Sequence, residues 1–403
     1  MSTCHDLMHL HIATAQSMAD AETRNDHLRE AAVAMAAVGE VNLARDILPC
    51  IDDAVFQCWG WVEVALSLAR TRHLAAASVL DTATASLADT ITIDDDLRAE
   101  LTARLAIATA LIGDVDFAGH HIDEALARLS GIPGREERTE VAALIIEAAA
   151  LVGRSNALVI GRETAMTAIE EEFCDPKGHY WKGERCATFL AAALYGIQKH
   201  AEARALIQST AMWVVAGIGD QDTQCSPLRG AMSLLELATS TADMGDVPLA
   251  CHVAGMALGL RNHPDVRFKA DFDPDGTYLP FVEFFNACAY AQAKSGQEPQ
   301  TIESMRFARE LECREGKYFI GILRNDEWTT IPRRLRQFET LLVIGRLAEA
   351  KTCLVRAGLL FERAWERTRQ HGREIDSDLY PLVKIAGGWA RLERDLRAAE
   401  ASP

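Results

Sequence analysis

The chain has 403 residues, a formal net charge of −17 at pH 7 and 49% hydrophobic residues. The acidic balance argues against nucleic acid as a partner, because phosphate binding depends on clustered lysine and arginine side chains. No stretch approaches the roughly 18 consecutive apolar residues that a membrane-spanning helix needs, so we expect no membrane partner.

The first residues and the cysteine pattern predict a cytoplasmic protein. Met1-Ser-Thr-Cys-His-Asp6 has neither a basic leader nor an apolar run, so we expect no signal peptide. The 10 cysteines are scattered singly, without any Cys-x-x-Cys pair, which is typical of buried thiols in a reducing compartment. The sequence also lacks a Walker loop, a His-Glu-x-x-His motif and a Gly-x-Ser-x-Gly motif, so we expect neither a cofactor nor enzymatic activity.

Glycines separate stretches in which apolar residues recur at helical spacing. After an N-terminal helix in residues 1–25, a Gly-x-x-x-x-Ala pattern recurs through residues 26–371, with Asp26 as the predicted N-cap of the first helix pair. Glycine adopts the left-handed conformation at a helix end without a Cβ clash, and the alanine lets the next helix approach closely. The copies are Gly39…Ala44, Gly113…Ala118, Gly196…Ala201, Gly245…Ala250 and Gly345…Ala350, with Gly153…Ala157 and Gly296…Thr301 as variants.

The recurrence predicts stacked helix pairs, because one pair cannot bury its outer faces alone. From Gly113 onwards the turn glycines are 40–51 residues apart, and a turn without glycine at Ala69–Ala76 fills the longer interval after Gly39. The sequence therefore predicts an all-α solenoid of about eight antiparallel helix pairs. Residues 372–403 are predicted to form a C-terminal capping helix, with apolar residues inward and arginines outward.

Two copies resemble the turn and second helix of tetratricopeptide (TPR) repeats. They are Gly113-Asp-Val-Asp-Phe-Ala118 with Ala125-Leu126, and Gly245-Asp-Val-Pro-Leu-Ala250 with Ala257-Leu258. TPR repeats run 34 residues, with a tryptophan in the first helix and a proline after the second. Most copies here are longer and lack both, so the chain is TPR-like over residues 26–369. The resemblance implies a right-handed superhelix whose first helices line a concave groove.

Three insertions interrupt the repeats, near residues 174–186, 262–280 and 315–330. The first presents His179, Tyr180 and Trp181 beside charged residues. Exposed loop aromatics on a rigid scaffold are typical of recognition sites. The alternative is that Tyr180 and Trp181 fasten the loop onto the preceding helix pair. The third insertion is compatible with a short β-hairpin or an irregular helix start.

The second insertion matches the first half of an EF-hand loop. Asp271, Asp273 and Asp275 alternate and Gly276 follows, which is the pattern of oxygen ligands that holds Ca²⁺. The bidentate glutamate expected at the twelfth position is missing, because Val282 stands there. We therefore predict an Asp/Pro/Gly turn and no metal site, with these three aspartates as the candidate ligands if Ca²⁺ does bind.

Counting back from each turn glycine places seven side chains on the groove that the TPR resemblance implies. They are Glu100, Glu140, Glu147, Glu283, Asn286, Tyr290 and Glu339. An acidic groove suits a protein or peptide partner of basic or mixed charge. It lacks the lysines and arginines of the carboxylate clamp found in chaperone-binding TPR proteins, so acidic chaperone tails are disfavoured.

The sequence thus favours a non-catalytic protein–protein interaction scaffold or adaptor. The alternative is a peptide- or small-ligand-sensing regulatory protein that switches an attached output, but no output module lies outside the repeats. A third hypothesis is an all-α enzyme with a site around His179, Glu184 and the insertion at 265–280, for which the sequence offers no catalytic motif.

Overall fold

A computed structural model describes residues 4–18, 20–174, 180–218, 227–260, 275–318, 327–370 and 380–401. Within these ranges the chain forms eighteen α-helices and one 3₁₀ turn, packed in adjacent pairs. Two compact units result. Unit 1 comprises Met1–Arg128, Leu151–Gly153 and Asp326–Pro403, and unit 2 comprises Leu129–Ala150 and Arg154–Asn325.

Most helices of unit 1 come from the two ends of the chain. They are α1 Cys4–Gln16, α2 Ala21–Ala37, α3 Val41–Ile47, α4 Ala54–Arg70, α5 Ala76–Asp89, α6 Asp95–Ile112, α7 Val115–Leu129, α16 Glu327–Val343, α17 Leu347–Gln370 and α18 Tyr380–Ala401. The first pair begins earlier than predicted. Its N-cap is Asp20, whose carboxylate accepts a hydrogen bond from the Thr23 amide, so the prediction of Asp26 as N-cap was wrong.

Unit 2 is built from the middle of the chain. Its helices are α8 Arg135–Val152, α9 Ser155–Cys174, α10 Tyr180–Gly196, α11 His200–Gly217, α12 Pro227–Asp243, α13 Val247–Leu260, α14 Asp275–Lys294 and α15 Glu298–Tyr318, with the last residues of α8 assigned to unit 1. Helices α10, α12 and α14 pack side by side, and α11, α13 and α15 pack against them. These six helices of unit 2 therefore lie in two layers.

The turn geometry confirms the chemistry expected of the repeat. Gly113 has φ +96°, its amide donates to Ala110 O, and the Asp114 amide donates to Thr109 O, so α6 ends in a left-handed cap. Ala118, five residues on, is fully buried. Among the described residues, the other glycines with positive φ are Gly39, Gly153, Gly245, Gly296 and Gly345.

The structure corrects one copy of the pattern. Gly196 ends α10, but the left-handed residue is Gln198 with φ +64°, and the Lys199 amide donates to Leu194 O. The closely packed alanine is consequently Ala203, which is fully buried, whereas the predicted Ala201 is exposed. The turn without glycine behaves in the same way, because Arg72 there has φ +54°.

The last helix has packed neighbours from both ends of the chain. Helix α18 contacts α1 and α2 as well as α16 and α17. Leu382, Val383 and Ile385 are buried in these contacts, and Arg394 Nη1 donates to Val38 O at 3.4 Å. The helix predicted as a terminal cap thus joins the first and last helices of unit 1.

Two glycines of unit 1 give a matched test of this packing. A Cβ at Gly388 on α18 would lie 2.8 Å from Leu354 Cδ1 and 3.2 Å from Phe338 Cε1. Both neighbours are almost fully buried and cannot move aside freely. We expect Gly388→Ala to lower the free energy of unfolding by about 1–3 kcal/mol in urea denaturation.

The control is Gly358→Ala on α17, where a Cβ would meet nothing within 4 Å. Alanine there reduces the conformational freedom of the unfolded chain, so we expect stabilisation of up to about 1 kcal/mol. Equal effects at the two positions would contradict the close contact of α18 with α16 and α17.

A buried polar cluster joins three elements of unit 2. The Asp246 side chain, 3% exposed, accepts hydrogen bonds from Tyr195 Oη at 2.6 Å and from Arg204 Nε at 2.5 Å and Nη2 at 3.1 Å. It also accepts from the Leu249 amide at 3.3 Å and so caps α13. The cluster fixes the α12–α13 turn against α10 and α11.

None of the helices in the described part of the chain combines the length and the apolar character that crossing a bilayer requires.

Candidate functional site

The residues predicted to line one groove fall in both compact units. Unit 1 holds two of them, on α6 and α16, and unit 2 holds five, on α8 and α14. The residues of unit 1 are Glu100 and Glu339, and those of unit 2 are Glu140, Glu147, Glu283, Asn286 and Tyr290.

The two carboxylates of unit 1 are paired with cations of the same unit. Glu100 Oε1 lies 2.7 Å from Arg104 Nη2, and Glu339 Oε1 lies 3.7 Å from Arg391 Nη1. Arg104 also approaches Glu63, which pairs with Arg29. Positive and negative groups alternate here, so these two glutamates add little net negative potential to unit 1.

Unit 2 contains two carboxyl groups that influence each other electrostatically, on neighbouring helices. Glu184 of α10 is 3% exposed and Glu236 of α12 is exposed. Burial raises the pKa of Glu184 well above its ordinary value, and the neighbouring negative charge and carboxyl hydrogen bond of Glu236 raise it further. The Oε2 atom of Glu184 has no hydrogen-bond partner. Arg185, whose charge opposes this shift, pairs with Glu136 at 2.9 Å.

Helix α14 carries a second buried polar group. Asn286 is 1% exposed, and neither its amide nitrogen nor its amide oxygen has a hydrogen-bond partner. A buried polar group without a partner destabilises a fold by about 1–3 kcal/mol, so its retention calls for an explanation. Glu283 and Tyr290 lie on the same face of the helix, three residues before it and four after it. Lys294 Nζ lies 5.2 Å from the Tyr290 ring centroid.

These helices form a continuous series within unit 2. The Glu136–Arg185 ion pair links α8 to α10, and α12 packs against both α10 and α14. Glu140 and Glu147 are half-buried on α8, and Glu283 is half-buried on α14. We call Glu140, Glu147, Glu184, Glu236 and Glu283 the acidic row of unit 2.

Sequence reasoning named Glu184 only as part of a hypothetical catalytic site and missed Glu236. Counting back from the turns does not relate the two residues, because Glu184 lies 14 residues before Gln198 and Glu236 lies 9 residues before Gly245. Their proximity depends on how α10 and α12 pack.

The loop and EF-hand predictions fall largely outside the described residues. His179 lies outside them, and Tyr180 and Trp181 begin α10 without a description of their side chains. Asp271 and Asp273 also lie outside them. Asp275 is the first residue of α14, so this helix begins inside the predicted second insertion. Among the described side chains, no three His, Cys, Asp or Glu groups come together to hold a metal ion.

A separate pocket of about 350 Å³ lies in unit 1, between α5 and the α6–α7 turn. Leu80, Ile112 and Phe117 line it, and Asp81 and Asp114 are at the same site. The lining is mainly apolar, and nothing in it resembles a catalytic constellation.

No family model matches the chain. No curated protein matches it either.

Three solved structures are similar in outline. Ton1535 from Thermococcus onnurineus NA1 shares 13% identity and a TM-score of 0.35 over 92% of this chain and 98% of that one. A Rap protein complexed with competence and sporulation factor shares 12% identity and a TM-score of 0.30 over 89% and 96%. A circular tandem repeat protein with novel repeat topology shares 12% identity and a TM-score of 0.28 over 98% and 89%. Similarity at this level carries no argument about function.

Proposed function

We propose that the protein is a non-catalytic interaction scaffold that binds a basic or mixed-charge segment of a protein partner along the acidic row of unit 2. The observation that carries the proposal is the Glu184–Glu236 carboxyl pair. A buried carboxyl beside a second carboxyl is a site with a deficit of positive charge. An ammonium or guanidinium group from a partner would allow both carboxyls to ionise and would occupy the unpaired Oε2 of Glu184.

The neighbouring residues support a peptide rather than a lone cation. Glu140 and Glu147 on one side and Glu283 on the other extend the acidic charge over several helices, which suits a segment with more than one basic residue. The Asn286 amide offers two donors and an acceptor, a combination that pairs with the N–H and C=O groups of a peptide backbone. Helix α14 would rearrange slightly to expose it.

Replacing Glu184 with glutamine separates binding from stability. Glutamine fills the same volume and needs no proton to stay neutral, so we expect the free energy of unfolding at pH 7 to be unchanged or slightly higher. We expect the affinity for a fluorescein-labelled lysine/alanine/leucine peptide, measured by anisotropy, to fall about tenfold. Glu163→Gln is the matched control, because Glu163 is an exposed residue of α9 outside the acidic row.

Three comparisons decide the outcome. The same peptide with glutamate for lysine should not bind, and added salt should weaken the wild-type interaction. Equal affinity of the wild type and Glu184→Gln for the lysine peptide would overturn the proposal.

A pull-down from lysate is a separate experiment that identifies natural partners. It compares the wild type with a variant in which Glu140, Glu147 and Glu283 become lysine, and partners lost from the variant depend on the acidic row.

A further inference from the structure

The pocket of unit 1 combines an apolar wall with two carboxylates. Leu80 and Asp81 come from α5. Ile112 ends α6, and Asp114 and Phe117 follow it in the connection to α7 and its first turn. The volume of about 350 Å³ falls within the range of about 300–1,000 Å³ that is typical of small-molecule sites. The pocket is separate from the acidic row of unit 2 and takes no part in the function proposed above.

The apolar wall is open to solvent and has a fixed aromatic ring. Ile112 is 39% exposed and Phe117 is 41% exposed. The Phe117 ring lies 4.6 Å from the His121 ring, centroid to centroid, with an interplanar angle of 70°. His121 is buried, and burial lowers its pKa below its ordinary value, so its imidazole is neutral at pH 7. Phe117 is thus packed on an uncharged neighbour and offers apolar surface to a ligand.

The two carboxylates give the pocket a negative charge that the protein leaves unpaired. Among the described residues, neither Asp81 nor Asp114 forms an ion pair. Arg45 reaches α5, but it donates to Ser78 Oγ at 2.7 Å instead. Asp114 Oδ1 accepts a hydrogen bond from the Phe117 amide at 3.1 Å, so the start of α7 holds this carboxylate at the pocket. No lysine or arginine is among the residues that line it.

The wall also contains a hydroxyl group without a partner. Thr84 lies one turn after Leu80 on α5, and its Oγ1 is buried without a hydrogen bond. The other threonine of the lining, Thr109, already donates to Leu105 O at 2.7 Å. A hydroxyl can both donate and accept, so a small rotation of the Thr84 side chain would let it bond to a polar group in the pocket.

We propose that this pocket binds a small organic cation with an apolar body, such as an arylalkylamine. The apolar body would contact Leu80, Ile112 and Phe117, and the ammonium group would lie close to Asp81 and Asp114. Opposite charges attract more strongly where water is partly excluded, and an aromatic ring attracts a cation as well. A neutral molecule of the same shape would gain the apolar contacts alone, and an anion would be repelled.

The position of the charge favours a small molecule over a protein segment. Both carboxylates belong to the lining itself, one on α5 and one after α6. They therefore select for a ligand that enters the pocket, whereas a segment lying across the turn would pair with charges around the rim.

Three probes of one shape and different charge test the proposal by ligand-observed fluorine NMR on the full-length protein. They are para-fluorophenethylamine, para-fluorophenethyl alcohol and para-fluorophenylpropionate. We expect the amine to bind about fivefold more tightly than the alcohol, because both carboxylates are exposed and water screens part of their charge. We expect no detectable binding of the propionate.

A pair of double variants separates charge from fold. In Asp81→Asn/Asp114→Asn the asparagine at the second position still accepts from the Phe117 amide, so we expect α7 to keep its cap. The amine should then bind no better than the alcohol, and the affinity for the alcohol should be unchanged. Asp46→Asn/Asp89→Asn is the matched control, since it removes two exposed carboxylates of unit 1 outside the pocket and should keep the preference for the amine.

A third variant fills the pocket. Ala85 is an exposed lining residue of α5, and the ring of Ala85→Phe would occupy the space of the ligand body. We expect this variant to lose both the amine and the alcohol. Retained binding in Ala85→Phe, equal affinity of the wild type for all three probes, or an unchanged preference for the amine in Asp81→Asn/Asp114→Asn would overturn the proposal. So would the failure of every probe to bind the wild type at millimolar concentration, the result expected if a protein side chain is the occupant.

Discussion

Replacing Asp246 with alanine is expected to lower the free energy of unfolding by about 3 kcal/mol, more than a typical single substitution in a solvent-facing turn. The carboxylate is almost fully buried and accepts four hydrogen bonds from three residues of unit 2. Alanine would leave the buried Tyr195 hydroxyl without its acceptor and would remove the cap of α13. An unpaired buried donor and a lost N-cap each destabilise by about 1–2 kcal/mol.

The electrostatics point in the same direction. Burial alone would raise the pKa of Asp246, but the hydrogen bonds from Arg204, Tyr195 and the Leu249 amide hold it below its ordinary value. The ionised carboxylate therefore stabilises the folded state at pH values above the unfolded pKa of 3.8, and this contribution is lost as the pH falls through the lower folded pKa.

Urea denaturation of three variants measures the effect. Asp246→Asn keeps acceptor capacity but loses the charge, so we expect an intermediate loss. Arg204→Ala should cost much less than Asp246→Ala, because the Arg204 side chain is 55% exposed and water screens its charge. Arg204→Ala should not destabilise the protein as much as Asp246→Ala does if our interpretation is correct. Equal losses would mean that the ion pair, and not the burial of the carboxylate, provides most of the cluster's contribution to the free energy of unfolding.

Local chemistry made the helix pairs predictable from sequence. A helix cap with a left-handed residue usually has glycine at that position, so the cap can be recognised from the sequence. Six glycines have the positive φ that the pattern requires. The alanine that follows Gly113 or Gly245 is fully buried, because helices that cross closely accommodate only small side chains. These features depend on residues close in sequence, and the periodicity reveals them directly.

The turn after α10 shows where such reasoning fails. Gln198 adopts the left-handed conformation although glycine stands two residues earlier. A non-glycine residue tolerates this conformation when the cap hydrogen bonds compensate, as the Lys199 amide bond to Leu194 O does here. An error of two residues at one turn changed which residues appeared to share a face with the next repeat.

The candidate site and the joined chain ends depend on contacts between distant residues. Glu184 and Glu236 are 52 residues apart. Residues this far apart in sequence come together only when the helices stack. Local sequence patterns do not determine which helices stack or in what register. Helix α18 illustrates the same point, since its amphipathic pattern fits a terminal cap and a helix packed on α1 equally well.

A buried histidine in unit 1 should make the protein sensitive to acid. The His11 side chain of α1 is fully buried, and its Nε2–H donates to His27 O at 3.2 Å. Burial is the main cause that lowers its pKa from 6.5 to about 4. The hydrogen bond to the His27 backbone opposes this shift, and electrostatic repulsion from the His27 side chain adds a smaller lowering. Its Nδ1 atom is buried without a partner, so a proton there would be a buried, unpaired charge.

The sign of the effect follows from proton binding. Between pH 6.5 and about 4 the unfolded chain binds a proton at His11 that the folded chain does not bind, so stability falls as the pH falls through this range. We expect His11 to remove about 2 kcal/mol of stability between about pH 7 and about pH 5. Glu30 of the same unit acts in the opposite direction, because burial and Asp26 raise its pKa to about 7.

A variant isolates the histidine from these opposing groups. His11→Gln keeps a donor for His27 O but does not titrate, so its stability relative to the wild type should improve by about 2 kcal/mol on going from neutral to mildly acidic buffer. Urea denaturation at each pH measures the difference. His252→Gln, which alters an exposed imidazole of α13, should follow the wild type throughout. A constant difference between His11→Gln and the wild type across this range would show that His11 protonates equally in the folded and unfolded chains.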